Sequence, residues 1–136
     1  MDETACVCCQ FRRASRALTR RYDMALRPLG LTITQFSILF TLQQGQVTQG
    51  QLGKILLMDS TTLTRTLRPM ERSSWIRSTP GYDQRQRWFS MTSGGRTLFE
   101  KARPAWQRTQ NELLRQFGSR DWNELKSGVA RLTGLA

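Results

Sequence analysis

The sequence predicts a mainly α protein carrying one small β-hairpin. Three observations predict it. Apolar residues keep helical spacing through most of the chain, and the stretch DSTTLTRTLRPM places Leu63, Leu67 and Met70 at i, i+4 and i+7. Two short helical segments meet at a tight connection around Leu57-Met58. One Pro-Gly turn, Pro80-Gly81, separates the two strand-like runs near residues 75–78 and 87–91. A pair of closely joined helices followed by a hairpin is the outline of a winged helix-turn-helix.

From about Cys6 to Arg27 the residues favour a helix, with no Gly or Pro to break it. Phe11, Ala14, Leu18 and Met24/Ala25 supply its apolar side, six arginines coat the rest, and Pro28 and Gly30 end it. In LTITQFSILFTLQQG, Thr34 is the expected cap of a second helix, Phe36, Ile38, Leu39 and Leu42 its apolar positions, and Gly45 its close. Thr48-x-x-Gln51 has the spacing of a capping box. It opens a short helix whose expected buried side is Leu52, Ile55 and Leu56. Asp59 or Ser60 caps the next. Pro69 lies late in that helix and should kink or tighten its final turn.

Trp75-Ile-Arg-Ser and Arg87-Trp-Phe-Ser-Met then read as the two strands of a wing, with Tyr82 to Gln86 as its polar tip. Thr92 or Ser93 caps a long helix with Leu98, Ala102, Ala105/Trp106, Thr109 and Leu113 on one side and Pro104 as an expected bend. Gly118-Ser119 breaks it, and a last helix carries Trp122, Leu125, Val129 and Leu132. The terminal helices are too amphipathic to stand alone, so they are expected to pair with the first helix within the chain and across a two-fold dimer. The chain is thus expected to be one domain over 1–136. It divides into a winged helix-turn-helix lobe at 32–92 and dimerisation helices at 5–30 and 93–136.

Composition narrows the function. The chain of 136 residues carries 21 basic against 10 acidic residues, a net charge of +11. Lysine stands only at Lys54, Lys101 and Lys126, so the other 18 cations are arginines. Arginine forks onto phosphates and guanine edges, whereas lysine acts as a point charge. A polyanion partner, nucleic acid before membrane surface, is the expectation. There is no histidine, which removes Ser-His-Asp and Cys-His catalysis and imidazole metal ligands. No apolar run approaches the ~20 residues of a membrane span. The N-terminus MDETACVCCQ has acids where a signal peptide needs a basic start, so a cytoplasmic protein is expected. No enzyme activity, cofactor or structural metal is expected.

The helix from Ser60 turns Thr61, Thr62, Thr64, Arg65 and Arg68 away from its apolar stripe. Threonine is a poor helix former, and a face meant only for water usually favours Glu, Lys and Gln. In a major groove, threonine reaches phosphates or the thymine methyl, and arginine holds guanine O6 and N7. These residues with Ser60 are the expected base and backbone contacts on double-stranded DNA. The wing adds Asp83, Arg85 and Arg87. An arginine at a hairpin tip fits the narrow minor groove, and Asp83 is placed to orient Arg85 by a paired hydrogen bond. The rival reading of the same charges is a non-specific architectural DNA-binding protein.

Cys6, Cys8 and Cys9 crowd one stretch, too few and too close for a two-pair zinc site. Arg12, Arg13 and Arg16 lie within reach, which favours thiolates. Oxidation sensing, thiolate capture of a soft ion such as Cu(I) or trivalent arsenic, and plain burial as small hydrophobes in a packed dimer interface are all open. A thiol peroxidase using Cys8 would lack an evident base.

The segments TITQFSILFTL, TQGQLGKILLMDSTTLTRTLRPMERSSWI and DQRQRWFSMTSGGR resemble the multiple-antibiotic-resistance regulator (MarR) family of bacterial winged helix-turn-helix repressors, over nearly the whole chain. The resemblance implies a homodimer on palindromic promoter DNA. It also implies release by a small molecule or by thiol modification, the effector acting between the dimer helices and the DNA-binding lobe. Ser73-Ser74 stands where the family commonly has a glycine, and the usual Asp-Arg-Arg of the wing reads Asp83-Gln84-Arg85. One branch senses organic hydroperoxides. Counting back from Ser15-Arg16-x-x-Thr19-x-x-Tyr22, Cys8 falls where that branch places its thiol. Tyr22 matches a tyrosine that approaches the sulfur from the other subunit, and Arg12 stands where a second such tyrosine is missing.

Overall fold

A computed structural model describes residues 5–83 and 85–134; Asp2, Glu3 and Gln84, weighed above, lie outside them. Among the described residues the chain runs α1 (Val7–Leu26), a 3-10 turn (Arg27–Leu29), α2 (Ile33–Leu42), β1 (Val47–Thr48), α3 (Gln49–Leu56), α4 (Ser60–Arg72), β2 (Ile76–Pro80), β3 (Arg87–Met91), α5 (Ser93–Phe117) and α6 (Ser119–Leu132). The predicted class, mainly α with a hairpin wing, is the class found.

Helices α1 to α5 begin where a side chain replaces a missing backbone partner; α6 opens from Gly118 without one. Thr32, and not Thr34, caps α2. Its hydroxyl accepts from Gln35 N at 3.2 Å, and the Gln35 side chain accepts from Thr32 N at 3.0 Å. The Asp23 carboxylate, from α1, takes the amide of Ile33 at 2.7 Å. With Thr-x-x-Gln available two residues earlier, Thr34 is absorbed into the helix. Thr48 and Gln51 form the expected capping box on α3. Thr92 caps α5, accepting from Gly95 N at 3.0 Å and donating to the Ser74 carbonyl at 2.6 Å.

The core gathers Leu26, Leu31, Phe36, Ile38, Leu39, Leu42, Leu52, Leu63, Leu67, Met70, Ile76, Phe89, Phe99 and Ala102. Phe36 stacks on Phe99 at 5.1 Å and on Trp106 at 5.7 Å, which pins α2 to α5. Ile55, expected inside, is 56% exposed. The eight-residue α3 reaches the core through Leu52 and Leu56, one turn apart, and Ile55 falls at the outer edge.

The sheet has three strands in the order β1-β3-β2, all antiparallel. The sequence predicted only the hairpin. Strand β1 is two residues long, pairing Val47 with Phe89 and Thr48 with Trp88, and so is too short to carry an alternation.

Pro69 does not stop α4, which continues to Arg72. A proline in the last turn removes one amide bond, here the one to the Arg65 carbonyl. The exit is made by Ser74 in the left-handed region (φ 60), with Trp75 N donating to the Met70 carbonyl at 3.0 Å. Helix α5 likewise runs unbroken through Pro104.

Candidate nucleic-acid interface

Helices α3 and α4 are joined by a three-residue turn that starts at Leu57 in the left-handed region (φ 52). Asp59 then caps α4. One carboxylate oxygen accepts from Thr62 N at 2.8 Å and the other from the Thr62 hydroxyl at 2.8 Å. These bonds, the amide first, hold the Asp59 carboxyl below its ordinary pKa. Leu63, Leu67 and Met70 face inward at 2% exposure or less. That leaves Ser60, Thr61, Thr62, Arg65 and Arg68 exposed on the opposite side.

Thr64 differs from its neighbours. It is half-buried; its hydroxyl donates to the Ser60 carbonyl at 2.9 Å and accepts from the Gln49 side-chain amide at 2.9 Å. The Thr62 hydroxyl is likewise engaged with Asp59, so Thr61, Arg65 and Arg68 are the side chains most free to reach outward.

The wing tip is closed by backbone bonds, Gly81 N to the Gln86 carbonyl at 2.8 Å and Gln86 N to the Asp83 carbonyl at 2.9 Å. The Asp83 carboxylate accepts from the backbone amide of Arg85 at 3.1 Å. The sequence suggested a bond to the Arg85 guanidinium; the amide bond shapes the turn instead. Arg85 is exposed and borders an open groove of about 680 Å³ together with Gln49, Gly50, Lys54 and Ser60. Tip, α3 and the start of α4 therefore share one basic concavity.

Arg87 points elsewhere. Its Nη2 donates to the Ser78 hydroxyl at 2.6 Å, and that hydroxyl donates to Glu71 Oε1 at 2.6 Å. With Gln49, Thr64 and Arg68, Arg87 and Glu71 line a cleft of about 290 Å³ between α4 and the wing. Gln49, Glu71 and Ser78 were not among the expected contacts, since no sequence spacing ties them to Arg87 or Thr64. The three acids of this face, Asp59, Glu71 and Asp83, are each taken up by a hydrogen bond within the chain. The cations are left to set its potential.

Residues 31–86 match the MarR family. The Mycobacterium tuberculosis transcriptional regulator MosR, solved in complex with DNA, is 38% identical. Its superposition covers 95% of this chain and 94% of its own, at a TM-score of 0.87. The chain belongs to the MarR family. Two Bacillus subtilis relatives are similar: the HTH-type transcriptional regulator YwoH, 26% identical over 113 residues (82% of each chain), and the organic hydroperoxide resistance transcriptional regulator. The latter is 35% identical over 91 residues, 65% of this chain and 62% of its own. As a MarR-family member the chain is a transcription regulator and not an enzyme. No single helix among the described residues is long and apolar enough to cross a membrane.

The Ser73-Ser74 departure lies at the exit of α4. Ser74 adopts the left-handed turn in which a glycine carries no side-chain penalty.

The cysteines sit at the start of α1, all three with free thiols. Cys6 is the N-cap, its sulfur accepting from Cys9 N at 3.5 Å. That amide, with the Cys9 thiol behind it, pulls the Cys6 pKa below its ordinary value. The Cys9 pKa is raised, first because its thiol donates to Cys6; the Arg12 charge opposes this and loses. The arginines therefore do not favour every thiolate, as composition suggested. Among the described residues no group of three Cys, Asp or Glu side chains is placed to hold a metal ion.

Tyr22 lies 14 residues after Cys8 on α1, about 21 Å along the axis at ~1.5 Å per residue. Its hydroxyl donates to the Gln110 side chain on α5 of the same chain, and burial raises its pKa.

Proposed function

We propose that this MarR-family regulator acts as a homodimeric, sequence-specific DNA-binding repressor. The observation that carries the proposal is the exposed face of α4. Thr61, Arg65 and Arg68 stand clear of the core stripe there, and the wing's Arg85 borders a groove that reaches the start of α4 at Ser60. In this reading Arg65 and Arg68 meet base edges or phosphates in the major groove. Ser60, Thr61 and Thr62 meet the backbone from the helix N-terminus, where anions are favoured. Arg85 enters the adjacent minor groove, and Thr64, Asp83 and Arg87 hold the frame. MosR, 38% identical and alike in fold, was solved with DNA, which supports the reading.

The lobe at 32–92 would be presented by a frame from 5–30 and 93–136. Support for a second copy comes from α1, where every residue from 11 to 20 is exposed, and from α6, where no described residue is buried. Two lobes related by a two-fold axis suit a palindromic promoter site. The protein would work in the cytoplasm.

Release would follow a small-molecule effector or thiol modification near the start of α1. The amide of Cys9 lowers the Cys6 pKa, and Cys8 and Cys9 are exposed beside it. The relation to an organic hydroperoxide resistance regulator supports an oxidant as trigger. Tyr22 would approach a thiol only across the dimer, since its own Cys8 is too far along the helix.

Selection of bound sequences from a random duplex pool tests the proposal. A palindromic consensus is the expected result. Salt-dependent binding with no preferred sequence would replace the proposal with an architectural DNA-binding role.

A further inference from the structure

The cleft between α4 and the wing is bridged by three side chains in series, and nothing in the base-contacting face requires them. Ser78 stands on β2 opposite Phe89, and Arg87 stands two residues from Phe89 on β3, paired with Pro80. The diagonal brings the Arg87 guanidinium to the Ser78 hydroxyl at 2.6 Å, and the hydroxyl proton goes to Glu71 Oε1 at 2.6 Å. A serine hydroxyl has one proton to give. Here it is given to the carboxylate while the guanidinium fills an acceptor site, so the direction of the chain is fixed. Both ends are charge-assisted, which makes such bonds short and directional.

We infer that Glu71, Ser78 and Arg87 form a positioning relay that sets the angle of the wing against the recognition helix. The inference rests on the DNA-binding reading of α4 and the wing. It assigns roles to Glu71 and Ser78 that neither the helix face nor the wing tip suggests, and it makes Arg87 a strut instead of a phosphate contact.

Two arguments carry it. First, Glu71 follows Arg68 by three residues, and so lies beside it on the helix surface. An uncompensated carboxylate there would repel backbone phosphates. Arg87, reaching it through Ser78, supplies the counter-charge without entering the groove. Second, the base of the hairpin is held by the exit at Ser73–Trp75, by Ile76 and Phe89 in the core and by the pairing of β3 with β1 at Phe89 and Trp88. Between residues 77 and 88 no described side chain joins that core. The relay adds a fastening there, at Ser78 and Arg87, on the tip side of the core contacts.

The test compares the full-length protein with Ser78→Ala, Ser78→Thr and Glu71→Gln variants. Amide hydrogen exchange of the free protein is read over residues 80–87. Footprints are read on the selected duplex, with a minor-groove cleavage reagent and with guanine N7 methylation. In Ser78→Ala, wing-tip exchange should quicken several-fold and minor-groove protection at the footprint edges should fade. N7 protection under α4 should persist, and affinity should fall about tenfold, the scale of one charge-assisted hydrogen bond. Ser78→Thr restores the hydroxyl and should recover the wild-type pattern, and Glu71→Gln should fall between. Unchanged exchange and unchanged minor-groove protection in Ser78→Ala would overturn the relay. So would equal loss of both protections. If the wild type protects no sequence, the DNA reading itself fails, while the exchange measurement, which needs no DNA, still decides whether the strut exists.

Discussion

Gln49 donates its side-chain amide to the hydroxyl of Thr64 at 2.9 Å, tying the first residue of α3 to the middle of α4. The same hydroxyl donates to the Ser60 carbonyl. The angle between the two helices is thus fixed by a polar contact beside the apolar one at Leu52 and Leu63. Thr64→Val keeps the shape but leaves the Gln49 amide without this partner, and should cost about 0.5–1.5 kcal/mol. Gln49→Met in the same background should add little. Urea unfolding of the two single variants and the double variant checks this. Strictly additive losses would mean that the two side chains are not coupled.

Arg65 and Arg85 are predicted to fail differently. Arg65→Ala should weaken the selected site by about 1–3 kcal/mol and relax the preference at one base pair per half-site. Equal loss on selected and random duplexes would reduce Arg65 to a phosphate contact. Arg85→Ala should weaken both halves of a palindrome with the consensus unchanged. Titrations at two salt concentrations, read by anisotropy, separate the cases.

Two adjacent glycines at the start of α5 should respond in opposite senses. A Cβ on Gly95 would lie 2.0 Å from the Trp75 carbonyl oxygen, which is backbone and cannot give way. Gly95→Ala should destabilise the fold by about 3 kcal/mol or more, at or above the usual cost of overpacking. A Cβ on Gly94 would meet the Ser74 carbonyl at 3.5 Å, an ordinary contact. Gly94→Ala should therefore be neutral or stabilise by up to about 1 kcal/mol. Thermal melts of the two variants are the measurement, and a similar loss in both would mean that the α5–Trp75 junction adjusts freely.

What was legible beforehand divides along physical lines. The Leu63, Leu67 and Met70 stripe and the Thr48-Gln51 box depend on local spacing, and both stand where local rules put them. The Thr32-Gln35 box that starts α2 is just as local and outranks Thr34; only its extra partner Asp23, ten residues upstream, lies beyond local rules. Strand β1 exists only through its pairing with β3. Ser78 and Glu71 carry no local signal, since their significance comes from the hairpin register that brings Arg87 across. The exposed arginines and threonines of α4 were visible because a face that avoids the core must be written in residues that the core rejects.

The thiols should separate by reactivity. A lowered pKa keeps Cys6 ionised at a pH where Cys9, whose pKa is raised, remains a thiol. Between about pH 7 and 8.5, the range below and at an ordinary thiol pKa, iodoacetamide should label Cys6 ahead of Cys9, the gap closing as pH rises. Cys6→Ala should quicken labelling of Cys9 by removing the acceptor that its proton faces. Peptide mass spectrometry of timed reactions reads both, and equal rates across that range would show that the helix N-terminus does not discriminate between them.

The exposed side of α1 makes the last prediction. Val7 is 58% exposed, Phe11 38% and Leu18 44%, and they recur on one side of a helix whose only buried residue is Leu26. Burying a Leu or Phe side chain gains about 1.5–3 kcal/mol, and a two-fold interface counts each residue twice. Leu18→Glu should therefore remove roughly 3–6 kcal/mol from association, a weakening of about a hundredfold or more. The lobe should keep its melting temperature, because its core draws nothing from residues 11–20. Sedimentation at several concentrations distinguishes the outcomes. A monomeric Leu18→Glu protein that still binds one half-site weakly would place the two-fold contact on α1. A dimer unaffected by the change would move it to α6 or the end of α5, where Phe117 and Leu132 are also exposed.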